Sequence, residues 1–324
     1  MAVNEQSYIT DKCLAGRFAP SPTGRMHLGN VYTALISWLS ARRRRAPWIL
    51  RIEDLDPQRS SIDYARQIED DLAWLGLDFD EGGVDDRGPH GPYSQSRRHE
   101  FYAEALELLR SKGLLYPCCC RRTDILATQA PHQSDGRVIY GGRCRPSEMP
   151  TTWRETDKPY ATRLYVPDRD IVFDDTVFGR QSINLARDCG DFIVQRADGA
   201  WAYQLAVVVD DAEMGVGEVV RGADLLLSAA QQLYIYELLG YTAPHFAHLP
   251  LICNKDGIRL SKRDNSLSMA SLRERFTSRE LIGRIAYIAG IGDGSPTTPA
   301  ELIAAFDLSK IPASEKIICP DNLF

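Results

Sequence analysis

The segment GRFAPSPTGRMHLGN, residues 16–30, combines two prolines, three glycines and one histidine, and a helical pattern follows it directly. Pro22, Gly24 and Gly29 predict a tight turn whose backbone amides point toward the start of that helix. Unpaired N–H groups and the helix dipole favour an anion there, and His27 can donate to a phosphate oxygen. The glycine spacing fits neither a dinucleotide-binding loop nor a P-loop. Considered alone, the segment could equally be an ordinary strand-to-helix connection.

A basic segment, GIRLSKRD at residues 257–264, is the second candidate for phosphate chemistry. Arg259, Lys262 and Arg263 lie in a polar turn that also contains Gly257 and Ser261. Such a loop can hold a triphosphate and neutralise the charge that builds on a leaving pyrophosphate. A solvated run of charges is the alternative for this segment alone.

The cysteines indicate a metal site rather than disulfides. Cys118, Cys119 and Cys120 are consecutive, and Cys144 follows after an intervening segment. Residues two apart in an extended segment face the same side, so Cys118 and Cys120 can bind one ion together with Cys144 while Cys119 points away. Zinc requires a fourth ligand, and histidine is favoured on general chemistry. Three side chains are available for it: Tyr140, His132 and Cys119. Reduced thiols without a metal are the alternative.

Strands and helices alternate in the first part of the chain. A strand over LAGRFA and another within PWILRIEDL alternate with two helices, one from about Leu28 to Arg44 and one ending at Gly76. This rhythm predicts an α/β doubly wound parallel sheet. From Pro117 to about Asp191 the rhythm fails, which predicts an insertion. The alternation of strands and helices resumes with a strand at DFIVQ and a helix at ADLLLSAAQQLYIYELLG. Two short helices are expected after it, over about 270–291 and 299–306.

Composition restricts the class of protein. The 324 residues carry a net charge of −6 with a pI near 5.6, which argues against binding nucleic acid through bulk charge. The first residues lack a signal-peptide pattern, and no apolar run has the length of a membrane span. We therefore expect a cytoplasmic protein with no membrane partner.

The combination of HLGN near the start with RLSKR some 230 residues later resembles the two signature motifs of class I aminoacyl-tRNA synthetases. Five segments between residues 16 and 270 look like glutamyl-tRNA synthetase in the same order: RFAPSPTGRMHLGN, LRIEDLD, WAYQLAVVVDD, EVVRGADLL and IRLSKRD. Two departures are mild. Asn30 stands in place of a second histidine, which removes one phosphate contact, and Arg259 stands where lysine is common.

The resemblance implies a fold and a division into domains. It implies a Rossmann-like doubly wound parallel sheet with a zinc-bearing insertion and a short C-terminal helical stub. The expected parts are a first catalytic half over 1–96, an inserted acceptor-binding subdomain over 97–191, a second catalytic half over 192–269, and the helical stub over 270–324.

The resemblance also implies ATP-dependent activation of glutamate to glutamyl-adenylate. Arg17 and Arg221 would bind substrate carboxylates, Glu53 and Tyr203 the α-ammonium, and Ser21 would hydrogen-bond the amino acid. The implied glutamate-binding residues are Arg17, Phe18, Ala19, Pro20, Ser21, Glu53, Tyr203 and Arg221. The implied ATP-binding residues are His27, Gly29, Ser261, Lys262 and Arg263, of which His27, Gly29 and Lys262 would act in catalysis, with Mg²⁺ as the counter-ion. Salt bridges to Asp54 or Asp224 are the structural alternative for the two arginines.

The spacing C-x-C…Y-x₃-C looks like the zinc site of a truncated branch of this family, the glutamyl-Q tRNA(Asp) synthetases, and implies Tyr140 as the fourth ligand. The chain ends about 60 residues after the basic segment, which favours the same branch. That branch activates glutamate without tRNA and esterifies queuosine at the first anticodon position of tRNA(Asp). The alternatives are a short glutamyl-tRNA synthetase charging the 3′ end of tRNA(Glu), and a non-catalytic, zinc-stabilised RNA-binding paralogue. A monomer is expected.

Overall fold

A computed structural model describes residues 14–121, 139–147, 157–255, 257, 267–320 and 323–324. Its strands are β1 Ala15–Phe18, β2 Trp48–Leu50, β3 Glu81–Gly82, β4 Leu115–Cys118, β5 Ala161–Leu164, β6 Asp170–Asp175, β7 Gly179–Asn184, β8 Phe192–Gln195, β9 Val216–Gly222, β10 His245–Leu249, β11 Leu251–Cys253 and β12 Lys316–Ile318. Its α-helices are α1 Leu28–Arg43, α2 Ile62–Leu75, α3 His99–Ser111, α4 Tyr203–Glu213, α5 Leu226–Leu239, α6 Met269–Arg275, α7 Ser278–Ile288 and α8 Pro299–Leu302.

The main sheet has the order β3-β2-β1-β9-β10-β6-β7 within the described residues. The pairs from β3 through β6 are parallel, and the edge strand β7 is antiparallel. The chain leaves β1 through α1 to one neighbour, β2, while the other neighbour, β9, arrives much later. The strand order therefore reverses beside β1, and the carboxyl ends of strands flank a crevice at such a point. The predicted doubly wound α/β sheet is confirmed.

Each face of this sheet is covered by its own apolar core. Trp48 and Leu50 of β2 pack into a core with α1, α2 and α7, whereas Ile49 packs on the opposite face with α3, α4 and α5. This alternation follows from the two-residue period of a strand. Burial on both faces explains why β2 is entirely apolar.

Local signals set the ends of the first two helices close to where they were predicted. The helix α2 begins after Ser61, whose hydroxyl accepts from the N–H of Asp63, and ends at Gly76 with a φ of 77°. Glycine adopts this left-handed conformation without a steric penalty. No helix in the described part of the chain is long and apolar enough to cross a membrane.

A smaller sheet, with the order β4-β5-β8, is antiparallel and separate from the main sheet. Its strands β4 and β5 lie within the insertion predicted over 97–191, and β4 contains Cys118, whereas β8 lies just beyond it, where the second catalytic half was expected to begin. Residues 170–184 also lie in the segment predicted as an insertion, but they form the hairpin β6–β7 at the edge of the main sheet, where Asp175 pairs with Phe246 of β10. The domain boundaries stay a prediction.

Candidate active site

A cavity of about 590 Å³ opens at the carboxyl ends of β1, β2 and β9, where the strand order reverses. It brings together every described residue that the sequence suggested for glutamate and ATP. These are Arg17, Phe18, Ala19, Pro20, Ser21, His27, Gly29, Glu53, Tyr203 and Arg221. Residues more than 200 positions apart thus line one space. Their individual roles stay predictions.

The loop between β1 and α1 is held against the end of β2. The carbonyl of Pro20 accepts from the N–H of Glu53 at 3.0 Å, and the carbonyl of Pro22 accepts from the N–H of Ser61 at 3.0 Å. The two prolines cannot donate, but their carbonyls still accept. These bonds place Ser21 and Glu53 on the same wall of the cavity.

His27 caps the helix α1 with Asn30. Its Nδ1 accepts from the N–H of Gly29 at 3.2 Å, and its own N–H donates to Oδ1 of Asn30 at 3.2 Å. The amide of Gly29, which was expected to face an anion, is thus directed at His27. Because Nδ1 accepts, the neutral ring carries its proton on Nε2. Asn30, considered in the sequence only as a lost phosphate contact, completes a capping box.

Described residues that follow the basic segment in the sequence contact the start of α1. Ser261, Lys262 and Arg263 lie outside the described residues. Five residues after Arg263, Ser268 forms an antiparallel bridge with His27, and the N–H of Met269 donates to the carbonyl of Met26 at 2.9 Å. The chain that follows the basic segment therefore lies against the start of α1.

Arg221 is a buried guanidinium with neutral hydrogen-bond partners. Its Nε donates to Nε2 of His248 at 3.0 Å, its Nη1 to Oε1 of Gln232 at 2.7 Å, and its Nη2 to the carbonyl of Leu225 at 3.2 Å. Among the described residues no carboxylate lies within 4.0 Å of it. Burial lowers the pKa of Arg221, and nearby Arg17 lowers it further. A buried cation in this setting favours an anionic ligand.

Arg221 is hydrogen-bonded to His248, which in turn is hydrogen-bonded to Asp175. His248 is opposite Arg221 in the β9–β10 register, and its Nδ1 lies 2.6 Å from Oδ2 of Asp175. Burial lowers the pKa of His248, although its hydrogen bond to Asp175 acts in the other direction. The ring is therefore neutral at pH 7, with its proton on Nδ1 toward Asp175 and a lone pair on Nε2 toward Arg221.

Arg17 has a carboxylate partner, unlike Arg221. Its Nε lies 3.4 Å from Oδ1 of Asp211, which also contacts Nη1 of Arg51 at 2.5 Å. Asp54, considered as a salt-bridge partner for Arg17 or Arg221, instead accepts from the N–H and the hydroxyl of Ser96.

Two more side chains of the cavity lie close to these charges. Glu53 accepts from Nη2 of Arg51 at 3.2 Å. Burial raises the pKa of Glu53, and the two arginines, Arg51 and Arg17, oppose that rise. Burial also raises the pKa of Tyr203, which therefore stays neutral at pH 7. The cavity is thus lined both by the carboxyl group of Glu53, which can accept from a cation, and by the Arg221 guanidinium, whose hydrogen-bond partners are neutral.

The sulfur atoms of Cys118, Cys120 and Cys144 all lie within 4.8 Å of one another. The Cys120 and Cys144 sulfurs are 3.5 Å apart, and the Tyr140 oxygen is 3.6 Å from the Cys118 sulfur and 3.9 Å from that of Cys120. Around a tetrahedral zinc ion, sulfurs are about 3.8 Å apart and a sulfur and an oxygen about 3.5 Å. The four side chains therefore fit zinc. Cys119 is exposed and outside the cluster, and His132 lies outside the described residues.

Arg163 supports this cluster from the small sheet. Its guanidinium carbon lies 3.8 Å from the centroid of the Tyr140 ring, and its Nη1 donates to the carbonyl of Asp191 at 2.7 Å. Burial would raise the pKa of the Cys118 thiol, but hydrogen bonds from Arg163 and Tyr140 outweigh it and lower that pKa. The buried cation thus favours the thiolate form at Cys118, whereas burial raises the pKa of the Cys120 thiol to about 11.

Several supporting residues were missed in the sequence. The two acidic residues in the apolar run VVVDD, Asp210 and Asp211, were a usable signal, because carboxylates in such a run are rarely buried without a cationic partner. Asp175 and His248 gave no comparable signal, since their pairing depends on which strands become neighbours.

The chain was compared with known families and structures. Residues 14–311 match the family model for class I tRNA synthetases (E and Q), catalytic domain. A glutamyl-Q tRNA(Asp) synthetase of Symbiobacterium thermophilum is 49% identical over 308 residues, covering 92% of this chain and 94% of that protein. One of Nitratidesulfovibrio vulgaris is 43% identical, covering 96% and 97%. The crystal structure of a glutamate-tRNA synthetase from Elizabethkingia anophelis superposes with a TM-score of 0.80 at 29% identity, covering 96% of this chain and 69% of that one.

The family model spans most of the chain, and relatives of the same kind align along nearly their whole length. The chain therefore belongs to the class I tRNA synthetases, in the glutamyl-Q tRNA(Asp) synthetase family of ligases.

Proposed function

We propose that this enzyme activates L-glutamate with ATP in the absence of RNA and transfers the glutamyl group to queuosine at the first anticodon position of tRNA(Asp). The observation that carries the activation step is Arg221, a buried guanidinium with neutral partners on the wall of a cavity that also contains Glu53. The acceptor is proposed from the relatives that the chain matches.

The two steps need no enzyme nucleophile. A carboxylate oxygen of glutamate attacks the α-phosphorus of ATP, the bond from phosphorus to the bridging β-phosphate oxygen breaks, and pyrophosphate leaves. A hydroxyl of queuosine then attacks the carbonyl carbon of glutamyl-adenylate, an ester forms, and AMP leaves. Positioning and electrostatic stabilisation must therefore supply the rate.

The glutamate side of the cavity has complementary charges. In our proposal Arg221 and Arg17 bind substrate carboxylates, because a guanidinium matches a carboxylate in a bidentate arrangement. Glu53 and Tyr203 accept from the α-ammonium, and Ser21 donates to the amino acid.

His27 and Gly29 line the ATP side at the start of α1, with the His27 proton on Nε2. Ser261, Lys262 and Arg263 are proposed to hold the triphosphate, together with the Mg²⁺ that accompanies ATP. The bridge between Ser268 and His27 supports this, because it ties the chain after the basic segment to the same end of the cavity.

Zinc is the metal that the cysteine cluster fits, with Cys118, Cys120, Cys144 and Tyr140 as ligands. A bound zinc ion would cross-link the end of β4 to residues 140–144 and supply stability rather than chemistry, because all four positions of its tetrahedron would be filled.

Isotope exchange between ATP and pyrophosphate tests the activation step. We expect exchange with glutamate and without RNA. Exchange that requires added tRNA(Glu) would point to a glutamyl-tRNA synthetase, and no exchange under any condition would point to a non-catalytic paralogue.

Transfer of labelled glutamate to tRNA(Asp) with and without queuosine tests the acceptor. The label should appear only on the queuosine-containing tRNA, in the anticodon fragment after nuclease digestion. Equal labelling of both tRNAs, or label at the 3′ end, would contradict the proposed acceptor.

A further inference from the structure

The partners of Arg221 share one property beyond their geometry, which is that none carries a charge at pH 7. They are the imidazole of His248, the amide of Gln232 and the carbonyl of Leu225. Tyr203, whose pKa is raised by burial, is neutral as well. By contrast, Arg17, the other arginine proposed to bind a substrate carboxylate, lies 3.4 Å from the carboxylate of Asp211.

Further hydrogen bonds fix the tautomer of His248 and the orientation of the Gln232 amide, so that each directs an acceptor atom at Arg221. Asp175 accepts from backbone N–H groups of Val177 and Phe178, at 3.0 and 2.9 Å, and lies 2.6 Å from Nδ1 of His248. These bonds fix the tautomer in which His248 offers a lone pair to Arg221. Gln232 donates through Nε2 to Oε1 of Gln204 at 2.8 Å, so its oxygen faces Arg221.

We propose that Gln232 and His248 are specificity-determining residues: they orient Arg221 with neutral acceptors so that its charge is left for the side-chain carboxylate of glutamate. This proposal rests on the proposed function of the cavity. Three donors of the guanidinium are taken by neutral acceptors, so orientation is secured without neutralising the cation. An uncharged amide in place of the substrate carboxylate would leave the buried cation unbalanced, which is costly.

The substitution Gln232→Glu tests the proposal with almost no change in shape. It keeps an acceptor oxygen toward Arg221 but adds a carboxylate that competes with the substrate. We expect the KM for glutamate in ATP–pyrophosphate exchange to rise on the order of 100-fold, the range measured for close charge pairs. The KM for ATP should stay within about twofold of wild type. Inhibition by glutamine should not weaken in parallel, because glutamine carries no side-chain charge.

Two further variants separate charge from shape. Gln231→Glu adds the same charge one residue earlier on α5, where the side chain bonds to Gln204, and it should leave the KM for glutamate unchanged. Gln232→Met removes the acceptor without adding charge and should raise that KM much less than Gln232→Glu. Thermal melting of all three variants reports folding.

Two substitutions of His248 test separately whether this residue orients Arg221. His248→Gln keeps a neutral acceptor and should retain most glutamate activation, whereas His248→Leu should raise the KM for glutamate more than the KM for ATP.

Four results would overturn the proposal. They are equal effects of Gln232→Glu and Gln231→Glu, equal effects of Gln232→Glu and Gln232→Met, a parallel rise in both KM values, and failure of His248→Gln to surpass His248→Leu. If the wild-type enzyme itself fails to activate glutamate, the proposed function fails. If the wild-type enzyme activates glutamate but the variants give any of these four results, only the role proposed for Gln232 and His248 fails.

Discussion

Among single residues, Tyr140 shows how a side chain of ordinary chemistry becomes a candidate metal ligand through its surroundings. Burial raises the pKa of its hydroxyl, which alone would oppose metal binding. The N–H of Cys144 donates to its oxygen at 2.5 Å, and Arg163 lies over its ring. The hydrogen bond from Cys144 lowers the pKa of Tyr140, but burial and the neighbouring thiols keep it above its usual range, so zinc binding at this oxygen would have to release the hydroxyl proton.

The metal site yields a prediction with an internal control. Cys144→Ser should lower the zinc bound per chain, because serine is a poor zinc ligand, and it should lower the melting temperature as well. Tyr140→Phe should weaken zinc retention against a chelator. Cys119→Ser should change neither quantity, since Cys119 is exposed and outside the cluster. Unchanged zinc content in Cys144→Ser would exclude that cysteine as a ligand, and unchanged retention in Tyr140→Phe would exclude the tyrosine.

At the scale of one element, α1 illustrates how a local motif serves the site. Its start is fixed by reciprocal hydrogen bonds between His27 and Asn30, and its second residue is a glycine. A Cβ at Gly29 would lie 3.2 Å from Cε1 of His27, which is a tight contact. The helix therefore begins at one residue, and the His27 ring is held in one orientation at the cavity.

Breaking this cap should affect stability and ATP use together. Asn30→Ala removes the acceptor for the N–H of His27, and we expect a loss of about 1 kcal/mol in the free energy of unfolding. The KM for ATP should rise several-fold, because His27 loses its fixed orientation. Ser61→Ala is the matched control: it removes the cap of α2 at a similar cost in stability and should leave the KM for ATP unchanged. A rise in the KM for ATP in both variants would contradict a specific role for the α1 cap.

Across the whole molecule, buried charges join the two halves of the sheet. Asp210 of α4 accepts from Nε of Arg98 at 2.6 Å, Nε2 of Gln95 at 2.7 Å and the hydroxyl of Tyr102 at 3.0 Å, and it lies 3.7 Å from Nε of Arg51. These partners come from the residue that follows β2, from α3 and from the residues just before α3. One carboxylate thus fixes how the second half of the chain sits against the first, directly behind the cavity.

Removing this carboxylate should therefore be costly. Asp210→Ala leaves Arg98 buried without its carboxylate, and we expect a loss of about 3–5 kcal/mol in the free energy of unfolding by denaturant titration. Asp198→Ala breaks the exposed pair with Arg196, in which both side chains are 55% exposed, and should cost at most about 1 kcal/mol. Comparable losses in the two variants would show that the buried network does not hold the halves together.

The sequence alone determined whatever depends on neighbours along the chain. The doubly wound fold class and the limits of α1 and α2 followed from periodicity and helix signals, and the roles proposed for the residues from Arg17 to Gly29 followed from motif resemblance. Only the tertiary structure decided which distant residues meet. Arg221 lies beside His248 because of the β9–β10 register, and Arg17 pairs with Asp211. Residues 170–184, which lie in the segment predicted as an insertion, form the hairpin β6–β7 of the main sheet. Strand order and buried charge pairing depend on contacts between remote segments, and no local pattern in the sequence records them.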